Sequence, residues 1–422
     1  MADQALRVGA IGTGNVFTRA HLPAYATLDG LRLTAVYDTN PAKAEAARES
    51  YLDLCAPSPG DTGGRGGKRG TETGSGRGAP RDLQVCASAE ELIEDVEVVD
   101  ICTPARWHPY YATMALHRGV HVMTEKPMAR TWWEAQRMAE VAAESSALFQ
   151  LTDDNVFLPR YRVLRNIIDS GMIGEVQSVW IARGSHGPEE NAWFWDMQEG
   201  GGGCIMDYGT HAVTSVWFLL GYDKMPAEVR SLGLVTRQPT RLVGGRFRDV
   251  RIDDDAHFKV RFINPSNGDW ASAVIEATWS WPELGPTGDS LHGYIHVRGS
   301  TGTATGLKDE GGSDVIRVAP YTGGEHDIPV EAVEPERESF VAAIDNFARC
   351  IRAGEPSILN EQVGLGVMSV LNGAQLSELR GRIAVTPADV SEFCREIAGD
   401  ALDPWKGGDR IIAELSKPYG TS

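Results

Sequence analysis

Residues 8–17 read V-G-A-I-G-T-G-N-V-F, with Gly12 and Gly14 standing between an apolar run and a helix-like stretch. Leu6–Ile11 has the length and composition of a short strand, and Thr18–Leu28 carries a helical pattern. Glycines at such a junction let backbone approach a phosphate closely. The free N–H groups of the helix N-terminus then stabilise its charge. The third glycine of a G-x-G-x-x-G pattern is replaced by Phe17, so the motif is incomplete and its surroundings must carry the assignment. The next strand, Leu31–Tyr37, runs directly into Asp38. A carboxylate there accepts hydrogen bonds from adenosine ribose hydroxyls and repels a 2′-phosphate. No arginine follows to offset that repulsion, so the expected dinucleotide is NAD, with Asn15 and Val16 completing the phosphate turn.

The alternation continues outward from this unit. Pro41 opens a helix in its first turn, where a missing N–H costs little. Val96–Cys102, Val120–Thr124 and Ala147–Leu151 are further strand candidates separated by helical stretches. Repeated strand–helix units predict an α/β fold, a Rossmann doubly wound parallel sheet over residues 1–150. Residues 56–82, with S-P-G-D-T-G-G-R-G-G-K-R-G among them, interrupt the rhythm. Such a segment buries too little apolar surface to offset its ordering entropy, which predicts a mobile surface insertion.

From residue 151 the pattern changes. Arg160–Ser170 and Asp207–Leu220 read as helices and Val176–Arg183 as a strand. Between Val229 and Val318, strand patterns such as Ala256–Phe262, Ala271–Trp279 and His292–Arg298 follow one another through short turns. Short turns favour antiparallel pairing, so residues 151–422 should form an α+β domain with a large, mostly antiparallel open sheet. Two long helical patterns, Glu338–Ala353 and Glu361–Leu379, come after it, and no internal repeat is present.

Two motifs fall at the carboxyl ends of the fourth and fifth strands, the rim where open α/β sheets bind ligands. They are T-P-A-R-W-H, with Thr103, Pro104 and His108, and T-E-K-P, in which Pro127 ends the strand beside Glu125 and Lys126. In the second half, Gly201–His211 reads G-G-G-C-I-M-D-Y-G-T-H. Asp207 and His211 are spaced i, i+4 and share one face of a helix. An imidazole, titrating at about pH 6.5 when unperturbed, suits removal of an alcohol proton near neutrality. The Lys126 ammonium can hold the same oxygen as charge develops on it.

G-T-G-N-V-F, T-P-x-x-x-H, E-K-P and G-G-G-x-x-x-D-x-G-x-H, in this order, resemble the Gfo/Idh/MocA family of oxidoreductases, named for glucose–fructose oxidoreductase and inositol dehydrogenase. S-G-M-I-G-E at Ser170–Glu175 matches that family's usual helix-to-strand turn. The resemblance excludes the 56–82 insertion and the tail beyond about residue 385. It implies Lys126, Asp207 and His211 as the catalytic set, and cofactor contacts from Gly12, Gly14, Asn15, Val16, Asp38, Thr103, Pro104, His108, Glu125 and Lys126. It also implies that the last helices pack back on the Rossmann domain and that the open sheet face makes homodimers or homotetramers. The expected activity is NAD-linked oxidation of a secondary alcohol on a sugar, sugar derivative or cyclitol. A glycoside hydrolase using NAD transiently would need the same three residues. A non-catalytic sensor on this scaffold would be expected to have lost the lysine or the histidine.

Trp193 and Trp195, near His186 and Asp196, offer flat aromatic faces beside polar groups, as a polyhydroxylated ring requires. A formal charge of −18 disfavours sequence-independent nucleic-acid binding. No stretch approaches the run of about 18 apolar residues of a membrane span, and the N-terminus lacks a signal-peptide plan. The six scattered cysteines contain no C-x-x-C pair, so neither a disulfide framework nor a metal site is expected, and a cytoplasmic location is. Replacing residues 56–82 by a short Gly-Ser linker should leave activity and thermal stability nearly unchanged, because closure entropy grows only logarithmically with loop length. Comparing turnover and melting temperature of the two chains checks this, and a large loss of catalytic efficiency would place the insertion in the site.

Overall fold

The computed structural model describes residues 5–56, 83–281, 293–331, 335–399 and 404–420; apart from Ala56, the expected insertion lies outside them. Six parallel strands form the first sheet: β1 (Leu6–Ile11), β2 (Leu31–Tyr37), β3 (Gln84–Val85), β4 (Val98–Ile101), β5 (His121–Glu125) and β6 (Phe149–Thr152). Their order is β3-β2-β1-β4-β5-β6, the doubly wound arrangement whose strand order reverses between β1 and β4. Helices cover both faces, so strand residues are apolar on both sides: Val8, Ala10, Val98, Val99 and Ile101 are all fully buried. The edge strand β3, expected after the insertion but without bounds, is two residues long, too few to show a period in sequence.

The second sheet has the order β16-β15-β14-β13-β7-β12-β11-β8. Its members are β7 (Val176–Gly184), β8 (Met225–Val235), β11 (Asp255–Ile263), β12 (Trp270–Thr278), β13 (Tyr294–Gly299), β14 (Gly302–Lys308), β15 (Asp314–Pro320) and β16 (His326–Pro329). Every pairing is antiparallel except β7 with β12. A separate hairpin, β9 (Thr240–Val243) with β10 (Arg246–Asp249), projects between β8 and β11. One sheet face, carrying Val179, Ile181, Ala273 and Ile275, is buried beneath the helices Cys204–Leu219 and Pro159–Asp169. The other face is open. Trp180 and Trp270 stand about half exposed on it, Trp180 edge-on to Tyr294 and Trp270 beneath the Arg261 guanidinium.

The late helices lie against the first sheet's layer. The Leu151 N–H donates to the Leu359 carbonyl (2.8 Å), the Gln150 amide to the Ala343 carbonyl (3.0 Å), and the Trp132 N–H to the Asn372 side chain. Beyond Glu361–Leu379 come two helices that the periodicity reading passed over, Pro387–Ala398 and Pro404–Leu415. The former announces itself locally: Thr386 and Asp389 form a reciprocal capping box with Pro387 at the first helical position. No helix among the described residues is long and apolar enough to cross a membrane.

Candidate active site

A cleft of about 610 Å³ opens at the carboxyl ends of β1, β2, β4 and β5. Gly12, Gly14, Asn15, Val16, Asp38, Thr103, Pro104, Glu125 and Lys126 line it. Gly12 has φ +88°, and a Cβ there would meet the Cys102 carbonyl at 2.9 Å, so the turn can pass β4 only as glycine. A Cβ on Gly14 would meet nothing within 4 Å; the space in front of that backbone is what a pyrophosphate needs. Asp38 is held in aim by the Thr13 N–H (2.9 Å) on one oxygen and the Asn40 N–H (2.8 Å) on the other. These residues fit a bound dinucleotide. Lys43 also lines the cleft, with Thr39, a cation that a search for arginine after Asp38 does not find.

Lys126 follows β5, and the Cys204–Leu219 helix presents Asp207, whose Oδ1 accepts a hydrogen bond from Lys126 Nζ. Asp207 Oδ2 accepts a second from the Trp279 indole N–H at 2.9 Å. One turn along the helix, His211 Nδ1 meets Asp153 Oδ1 at 2.8 Å, and the Asn155 amide nitrogen beside it donates to the same carboxylate oxygen at 3.3 Å. Asp153 is fully buried just after β6, at the same rim as Lys126. With a carboxylate at Nδ1, we assign the proton to that nitrogen, which leaves the Nε2 lone pair free to take a proton.

Electrostatics fix the charge states. Burial alone would lower the Lys126 pKa, but the facing Asp207 carboxylate, backed by Glu125 and Asp153, raises it above the ordinary lysine value. The ammonium is therefore a donor and a fixed charge, not a base at neutral pH. Burial likewise opposes ionisation of Asp207 and Asp153, and Lys126 and His211 outweigh it, holding both below the usual carboxylate range.

Sequence reading found neither Asp153 nor Asn155, although D-D-N directly follows β6 at the same rim as T-P-A-R-W-H and E-K-P. It also missed His21, fully buried on the first helical segment. That imidazole bridges two carboxyl groups, Nδ1 to Asp100 (2.7 Å) and Nε2 to Glu125 (2.9 Å), with Tyr25 donating to Asp100 (2.7 Å). Burial works against a charged ring there, and Asp100 more than offsets it, raising the His21 pKa well above its ordinary value. A charge of this kind locks Glu125 in place at the edge of the cleft.

Five expected site residues do not line the cleft: Asp207, which meets it through Lys126, His211, one helical turn beyond Asp207, and three others. His108 does not line the cleft; it is buried between the Pro127 carbonyl (2.9 Å) and the Thr103 carbonyl (2.7 Å), tying the two rim loops together. Trp195 does not line it and packs on Trp279, ring centroids 4.8 Å apart, with the Arg241 guanidinium over its ring. His186 is set by its carbonyl, which accepts from Arg241 at 2.7 Å, and it too is absent from the lining. Trp193 does line the cleft, stacked on Phe194.

The chain belongs to the Gfo/Idh/MocA family. Residues 6–152 match the model described as oxidoreductase family, NAD-binding Rossmann fold, and residues 161–305 match the GFO/IDH/MocA C-terminal domain. A curated relative, D-glucoside 3-dehydrogenase of Escherichia coli (strain K12), is 29% identical over 224 residues, 53% of this chain. That stretch spans 56% of the relative, little more than half its length. The 1,5-anhydro-D-fructose reductase of Ensifer adhaerens is 26% identical over 75% of this chain and 88% of its own. A solved levoglucosan dehydrogenase in complex with NADH and levoglucosan has TM-score 0.72 at 21% identity, over 91% of this chain and 99% of that one, a likeness of fold.

The glycines before the site helix are a packing requirement. A Cβ on Gly203 would lie 1.8 Å from the Asp253 carbonyl oxygen, while the Asp253 carboxyl accepts the Gly203 and Ile205 N–H groups (2.9 and 2.8 Å) and so caps the helix. Gly203→Ala should cost about 1–3 kcal/mol of stability through overpacking and should also lower turnover, since the same helix carries Asp207 and His211. Thermal unfolding beside steady-state rates checks it; an unshifted melting temperature would contradict the tight contact.

Proposed function

We propose that this protein transfers hydride between NAD and a secondary alcohol of a sugar, sugar derivative or cyclitol. The observation that carries this is the ion pair of Lys126, which lines the dinucleotide cleft, with Asp207, and the Asp153-paired His211 one helical turn beyond Asp207. NAD supplies the hydride acceptor when bound. Lys126 donates to the alcohol oxygen and stabilises negative charge there; Asp207 keeps that ammonium charged and aimed, with Trp279 fixing the carboxylate from behind. His211 Nε2 takes the hydroxyl proton, and Asp153 stabilises the imidazolium that results. Trp193 and Phe194 supply the apolar wall for a sugar ring's C–H face. On this proposal residues 1–150 bind the cofactor and residues 151–422 supply the substrate side. The names of the relatives, a glucoside dehydrogenase and an anhydrofructose reductase among them, support a carbohydrate substrate. Six free cysteines fit the reducing cytoplasm.

Incubation with NAD and a panel of sugars, cyclitols and glycosides, following NADH absorbance with mass spectrometry of products, tests the assignment. Net NADH with an oxidised sugar is expected; aglycone release without net NADH would replace it by transient-oxidation hydrolysis. Lys126→Ala should lower kcat by about 10²–10³-fold with the fold intact. His211→Ala should cost about 10²–10⁴-fold and flatten the acid limb of the pH–rate profile. The double variant should lose far less than the product of the two, because both groups act on one O–H. Near-normal turnover and an unchanged profile in His211→Ala would remove the assigned base.

The open sheet face is proposed to pair with a second copy of the chain, giving a homodimer or homotetramer. Trp180 and Trp270, each about half exposed on that face, are large apolar side chains that a second copy would cover. Trp180→Glu should shift the mass seen by light scattering toward the monomer; an unchanged mass would place the contact elsewhere.

A further inference from the structure

Residues 190–200 belong to the second half of the chain but are tied to the first at both ends. At the near end the Asn15 amide donates to Asn191 at 3.0 Å, and Arg19 faces Glu190 at 3.6 Å. At the far end the Gln198 carbonyl accepts from Arg130 at 2.7 Å and from Arg106 at 3.5 Å. Between these ties, Trp193 and Phe194 face the cleft. The two arginines converge on a single carboxylate, Asp409, at 2.8 and 3.4 Å. It stands on the Pro404–Leu415 helix, which neither family model covers.

The geometry makes that helix part of the site's frame. The same Arg130 nitrogen that holds Gln198 holds Asp409, so moving the carboxylate moves the donor. Arg106 lies within T-P-A-R-W-H, whose Thr103, Pro104 and Trp107 line the cofactor side of the cleft. The helix is closely seated: a Cβ on Gly408 would fall 2.2 Å from the Glu134 carboxylate, which pairs with Arg130. Because Arg130 keeps Glu134 when Asp409 is lost, its buried charge stays compensated, and the loss falls on the cover, not on the core.

We propose that Asp409 is a positioning residue that, through Arg130 and Arg106, holds the Trp193–Phe194 cover in register with the 103–108 loop and thereby sets affinity for the sugar. The proposal rests on the assignment of the cleft to NAD and a sugar. It does not require Asp409 to touch either.

The test compares the full-length protein with Asp409→Asn and, separately, Arg106→Gln, by steady-state kinetics and amide hydrogen exchange in the presence of NAD. Loss of a charged hydrogen-bond partner should raise the sugar KM about tenfold in each variant, with kcat changed by less than about threefold. Exchange should quicken within 190–201 and 103–108 while the rest of the chain and the melting temperature hold. Wild-type exchange over both segments in both variants would overturn the proposal. So would exchange that quickens throughout the chain in both, since that is a loss of general stability. If the wild type oxidises no sugar, the functional assignment fails, while the exchange comparison still decides whether Asp409 holds the cover.

Discussion

The Lys126–Asp207 ion pair joins two separately built halves at the point where chemistry is proposed. The ammonium leaves the end of β5 in a parallel sheet, and the carboxylate comes from a helix lying on an antiparallel one. Both side chains are mostly shielded from water, and taking either charge out of water alone costs several kcal/mol. Their pairing offsets that cost only when the halves are docked, so the charge state of the site is a property of the docked molecule. Trp279 extends the constraint, since its indole N–H fills the second carboxylate oxygen and its ring is packed by Trp195.

Around this pair the structure places buried charges in compensated sets. His21 sits between Asp100 and Glu125, Asp153 against His211, and Arg130 between Glu134 and Asp409. Each set links elements distant in sequence, and each fixes a group at the rim: Glu125 and the start of E-K-P, the tautomer of His211, and the carbonyl of Gln198. Low local dielectric makes such contacts strong and their loss expensive, which is how a cleft lined by loops is held without disulfides. His108 does the same with backbone, spanning the two rim loops through their carbonyls.

The sequence by itself determined the parts with local physical signatures. Period and turn chemistry placed β1, β2 and the Glu361–Leu379 helix at their observed ends. The Gly12–Gly14 turn and Asp38 were legible because a dinucleotide-binding turn needs glycine at positive φ and a carboxylate at the end of the next strand. Lys126, Asp207 and His211 were legible through the family resemblance of E-K-P and G-G-G-x-x-x-D-x-G-x-H, with which a rim position and an i, i+4 helical spacing agree. The capping box at Thr386–Asp389 carried the same kind of local signal, though apolar periodicity alone passed over it.

Only the tertiary structure decided which polar groups meet. Asp153 is 58 residues from His211 and Asp409 is 279 from Arg130, separations across which no sequence period speaks. Trp193 and Trp195 share composition and neighbours, yet one lines the cleft and the other backs Trp279, because the side to which each ring turns depends on the hairpin and Arg241 packed behind the loop. His108 and His21 look alike as lone histidines near a Rossmann rim, and the partners met on folding separate them: two backbone carbonyls for one, two carboxyl groups for the other. Pairing energies of buried polar groups depend on distances between elements, and those distances exist only once the elements have packed.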